Sequence, residues 1–139
     1  MIQTIREQII SGFADSLINL ASSAVERCAG FRDQEELPAV TVWDLDEDAS
    51  KDQYSRVNCS LPLVVVYADK LTGDPSKAAN DMLGALIQDA LASETTLEPL
   101  IDSIEYSGST VDFPDGRDLV IVRAIFAVRY HWKGDPFTQ

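Results

Sequence analysis

Asp44, Asp46 and Asp48 alternate along the chain in a pattern that suggests metal chemistry. A calcium loop opens in this way because carboxylates two residues apart converge on a hard cation. It also needs glycine at its sixth position, for a sharp turn, and a bidentate glutamate at its twelfth. Those positions hold Ala49 and Ser55, so a solvated acidic stretch is expected instead of a metal site. A Cys–His nucleophile needs thiol and imidazole within hydrogen-bonding reach. His131 is the one histidine, and Cys28 and Cys59 are the two thiols. The helical stripe puts Cys28, and strand alternation puts Cys59, on a core face, with His131 on the opposite side of its strand. With no CxxC spacing, reduced, buried cysteines are expected. Ser107-Gly108-Ser109 lacks the nucleophile-elbow pattern, and neither a P-loop nor GxGxxG is present. With 23 Asp and Glu in the chain, paired carboxylates point to no particular glycosidase-type site. The expectation is a protein with no catalytic residue, no metal and no cofactor.

One constellation remains. In the stretch 119–132, LVIVRAIFAVRYHW, every even position is apolar, from Val120 to Trp132. The odd positions carry Ile121, Ile125 and Ala127 between Arg123 and Arg129. Period-2 alternation in a β-branched and aromatic run means a strand with one face in the core. Its other face is more apolar than a free sheet surface usually is. A second layer of the chain's own residues would account for that. So would a subunit interface in which the arginines meet acidic residues of a neighbour. At about 3.3 Å per residue the run spans roughly 46 Å, beyond the usual strand length. The excess is expected to overhang, bend or pair outside the chain.

The elements that would position this strand follow in order. Residues 1–28 place Ile5, Ile9, Phe13, Leu17 and Leu20 at steps of three and four, one stripe of an amphipathic helix. Thr4 with Glu7 fits a capping box, Gly12 invites a kink, and Gly30 fits a left-handed cap. Pro38 opens a short strand containing Val40 and Val42 on one face and Trp43 on the other. Residues 44–55 are expected to form a long, mobile acidic loop. A second strand over 56–67 has an apolar odd face, and Pro62 argues that it lies at an edge or carries a bulge. Asp74-Pro75 starts a helix running to about Ser93. A third strand over 104–111, weakened by Gly108, leads through Phe113-Pro114-Asp115-Gly116, a type I turn signal, into the long fourth strand. Gly-Asp-Pro recurs at 73–75 and 134–136, which reads as turn chemistry. Helix-strand-strand-helix-strand-strand gives an α+β fold, a mostly antiparallel four-stranded sheet with two helices on one face.

The chain's 139 residues suit one domain with a real core. No apolar run approaches the roughly 18 residues of a membrane span, and no export signal is read at the N-terminus. A net charge of −12, with 11 basic residues in no cluster, argues against tight nucleic-acid binding, which needs grouped Lys and Arg to neutralise phosphates.

Several features now combine: the N-terminal amphipathic helix, the run Leu37-Pro38-Ala39-Val40-Thr41-Val42-Trp43, the acidic stretch, a second strand and helix, and a long closing strand that ends in an aromatic. Together they resemble the tail terminator proteins of long-tailed bacteriophages, of the lambda minor tail protein U type. The likeness covers most of the chain as order and length, and its most specific match is Pro-Ala-Val-x-Val-aromatic at 38–43. It implies a small α/β subunit that forms a hexameric ring at the head-proximal end of the tail tube, assembled in the host bacterial cytoplasm. The ring would stop tube polymerisation and face the head connector, so its partners would be copies of itself, the tube protein and the connector protein. The site would then be a set of surfaces: Asp44, Asp46, Glu47 and Asp48 on one side, Ile121, Arg123, Ile125 and Arg129 on the other. A cytosolic binding module using its sheet face for a peptide or small ligand is the alternative.

Overall fold

The computed structural model describes residues 3–21, 25–27, 37–114, 118–134 and 136. Cys28, Gly30, Asp115, Gly116 and Asp135, which figure in the sequence reading, lie outside the described residues. The elements are α1 (Ile5–Ser16) with a 3-10 turn (Ile18–Leu20), β1 (Ala39–Asp44), β2 (Asp48–Lys51), β3 (Arg56–Lys70), α2 (Pro75–Thr96), β4 (Ser103–Asp112) and β5 (Leu119–Lys133). The class is α+β, and the sheet is antiparallel with five strands where four were expected. Its order is β1-β3-β5-β4, and β2 joins β3 on the same edge as β1.

Both helix starts follow the local chemistry of the sequence. The Thr4 hydroxyl accepts from the Glu7 N–H at 3.0 Å. Asp74 accepts from the N–H groups of Ser76 and Lys77, with Pro75 at the first helical position, where its missing donor costs nothing. α1 stops at Ser16, well short of residue 28. Leu17 and Leu20 continue the buried stripe from the 3-10 turn. A longer helix is excluded because Glu26 is extended and bridges to Thr41 in parallel register. Gly12 lies in continuous helix rather than at a break. A Cβ on it would come within 2.5 Å of Leu97 Cδ2, so this glycine permits close approach of α1 to the turn after α2.

The core is one cluster between the helices and one face of the sheet. Ile9, Phe13, Leu17, Met82, Leu86 and Ala90 meet Leu61, Leu63 and Val65 of β3 and Val122, Phe126 and Val128 of β5. Phe13 and Phe126 stack tilted, with ring centroids 5.7 Å apart. The unusual length of β5 is matched within the chain: β3 is also 15 residues long and pairs with it from Arg56↔Lys133 to Lys70↔Leu119. The expectation that the excess would overhang or need an outside partner strand is corrected here. Pro62 is likewise in a central strand, not at an edge. Its carbonyl accepts from the Leu45 N–H, so its nitrogen faces the same side, where β1 has ended and β2 has not begun. The missing donor falls in that gap and breaks no ladder bond. Gly108 (φ +142) marks a register shift in β4, a bulge.

Candidate functional site

The candidate site is the sheet face turned away from the helices. Register sets its rows across β1, β3, β5 and β4: Trp43–Val64–Ile125–Gly108, then Thr41–Val66–Arg123–Thr110, then Ala39–Ala68–Ile121–Asp112. The face is divided. On its β1–β3 side Val64 and Ala68 are 0% exposed and Thr41 1%. On its β5–β4 side Ile121, Ile125 and Ala127 are half-buried and Arg123 and Arg129 exposed. Arg123 partly explains the division. Its guanidinium reaches back across β3 to lie 5.4 Å from the centroid of the Trp43 ring, a cation–π contact that roofs Val64 and Val66. Beside the bulge, Gly108, Ser109, Thr110, Arg123 and Ile125 line a hollow of about 260 Å³.

Arg129 lies at the other end of the face. Its guanidinium pairs with Glu105 of the adjacent strand at 3.4 Å, an exposed contact of small energetic weight. It also lines an open concavity of about 430 Å³ with Asp48, Ser50, Asn58, Ser60 and Asp102. His131 Nδ1 lies 2.9 Å from Asp102 there, on the opposite side of the sheet from the buried Cys59.

The four acidic candidates do not act as a group. Residues 44–55, expected as a loop, contain the strand β2, so Asp48 sits in a ladder opposite Ser60. Asp44 is paired with Arg6 of α1 at 2.5 Å. Burial pushes the Asp44 carboxyl up, but the hydrogen bond and charge of Arg6 outweigh this and hold it below the ordinary range. Glu47 accepts from the Tyr130 hydroxyl and lies 3.8 Å from Arg6. Burial, and then the Glu47 carboxylate, push the Tyr130 phenol far above its usual value. Asp46 and Asp48 are exposed. The structure therefore brings Asp44 and Glu47 together around Arg6 and Tyr130, Asp48 together with Arg129, and Arg123 together with Ile125. Among the described residues, no group of three or more His, Cys, Asp or Glu is placed to hold a metal ion. No described helix is long and apolar enough to cross a membrane.

The sequence gives no site role to Arg6, Tyr130 or Trp43, the last being only the aromatic of the 38–43 run. Tyr130 reads as a core residue, and nothing local links it to Glu47, 83 positions away.

No known family matches the sequence, and no curated protein matches it. The chain is similar to a solved structure described as "Virion of native gene transfer agent (GTA) particle", with a TM-score of 0.46 and 11% identity, covering 93% of this chain and 92% of that one. A likeness at that level carries no argument about function.

Proposed function

We propose that the chain is a structural subunit of a virion, a tail terminator that forms a ring at the head-proximal end of a phage tail tube, stops tube polymerisation and joins tail to head. The observation that carries this reading is the open half of the outer sheet face. There Ile121, Ile125 and Ala127 are half-buried between two exposed arginines, while both helices cover the other face. Apolar side chains so placed are characteristic of a surface that another subunit completes. The element order and the 38–43 run, which resemble the terminator type, support the same reading. A closed ring needs a heterologous contact, one patch against a different one. Arg123 on one side and the exposed Asp46 on the other supply groups of opposite sign, while Arg129 and Asp48 line one concavity of the same subunit. The net charge of −12 suits a pore through which DNA passes, because each neutralising contact would add affinity and drag.

Light scattering on the purified chain, alone and with tube protein, tests the reading. A hexamer-sized assembly is expected. Arg123→Glu with Arg129→Glu is expected to abolish it, and Arg129→Glu alone, whose contact with Glu105 is exposed, is expected to weaken it and leave the circular dichroism spectrum unchanged. An unchanged assembly would remove these residues from the interface. The concavity of about 430 Å³ favours one other reading, a binding module for a peptide or small ligand. Such a module would remain a monomer or dimer in the same experiment.

A further inference from the structure

The hairpin joining β2 to β3 is built to hold its tip still. The Asp52 N–H donates to the Arg56 carbonyl at 2.9 Å, and the Ser55 N–H donates to the Asp52 carbonyl at 3.1 Å. The Asp52 carboxylate accepts from the backbone N–H groups of Tyr54 and Arg56, from Arg56 Nε and from Asn58 Nδ2, at 2.9–3.3 Å. Ser55, at φ 63, completes a three-residue loop with a left-handed last position. What the loop presents is Tyr54, 69% exposed. A rigidly mounted tyrosine loses little conformational entropy on docking, and tyrosine is enriched among residues that dominate interfaces.

The outer face offers a receptor of matching character. The hollow of about 260 Å³ beside the β4 bulge exceeds the roughly 150 Å³ that accommodates a benzene ring. Gly108 leaves the space above it open, Ile125 gives an aliphatic surface, and Arg123 is the one charged residue in the lining. A guanidinium beside an aromatic ring is attractive, and the exposed acidic Asp46 and Asp48 near the base of the hairpin are opposite to it in charge. The tip cannot reach the hollow of its own chain. It lies beyond Arg56, which pairs with Lys133, whereas the hollow lies at 123–125, roughly 30 Å back along β5 at 3.3 Å per residue.

Resting on the ring reading above, we infer that Tyr54 of one subunit seats in the hollow formed by Gly108, Arg123 and Ile125 of the next copy. The contact is heterologous, as a closed ring requires. The test combines two measurements on the full chain. In the first, Tyr54→Ala is expected to raise the subunit dissociation constant about tenfold or more, with Tyr54→Phe close to wild type. In the second, p-benzoyl-phenylalanine placed at position 54 is expected to photo-crosslink between copies to residues 108–110 or 123–125, located by mass spectrometry. A wild-type assembly that Tyr54→Ala leaves intact, or crosslinks that map elsewhere, would overturn this contact and leave the ring standing. A chain that stays monomeric with and without tube protein and gives no crosslink between copies would overturn both.

Discussion

The two faces of the sheet draw on the same strands and behave differently. The face under the helices is closed: Phe126, Val122, Leu63 and Val65 are 0% exposed and packed against side chains from both helices. The other face is closed over residues 64–68 of β3 and open over β5 and β4. The difference does not lie in composition, since Ile125 is as apolar as anything beneath the helices. It lies in what stands opposite each residue: two helices on one side, and on the other the Arg123–Trp43 contact, which covers part of β3 and leaves β5 and β4 open. Exposure of an apolar residue therefore depends on the neighbouring layer, and the proposed ring contact falls where that layer ends.

Truncating one residue on each face separates the two most widely. Phe126→Ala is expected to cost about 3–5 kcal/mol, the sum of lost transfer energy and a cavity against Phe13. Ile125→Ala, its neighbour in sequence, is expected to cost the lone subunit under about 1.5 kcal/mol, because its surroundings are partly water already. Denaturant unfolding of the two variants measures both. Equal losses would mean that the outer face is as tightly packed as the core.

A smaller effect is expected where the covered face runs out of helix and relies on Arg6, Asp44, Glu47 and Tyr130. Tyr130→Phe leaves the partly buried Glu47 short of a donor and is expected to cost about 1–3 kcal/mol. The pH dependence follows from the two shifts. Asp44 is lowered when folded, so its contribution is full above the ordinary carboxylate range and is lost as pH falls through the lowered value. Arg6→Ala is therefore expected to move the onset of acid unfolding to higher pH. Tyr130 is raised when folded, so its contribution is full below the ordinary phenol value near 10 and is lost as pH rises through the folded value. Tyr130→Phe is expected to flatten the alkaline limb. Unfolding curves between acid and alkaline pH check both signs.

The finest distinction is one methyl group on each helix. Gly84→Ala in α2 adds a Cβ with nothing within 4 Å and is expected to stabilise by up to about 1 kcal/mol through helix propensity. Gly12→Ala gains the same propensity but drives its Cβ into the buried Leu97, with an overpacking cost of about 1–3 kcal/mol. The same substitution is thus expected to raise the melting temperature at Gly84 and to lower it at Gly12.

The strands of period two, their core faces, the capped starts of both helices and the α+β class are legible in the residues themselves. These features depend on contacts within a few residues, and alternation or a cap can be read wherever it occurs. The rest depends on contacts between distant segments. β2 was missed because all four of its residues are exposed, leaving no apolar alternation to read. Pro62 could enter a central strand only because two other strands leave a gap beside it. Asp44 and Glu47 became internal partners of Arg6 and Tyr130 because the fold brings together groups that lie 38 and 83 positions apart. Residue type fixes what a side chain can do, but the layer placed opposite it decides whether it meets solvent, its own chain or another copy.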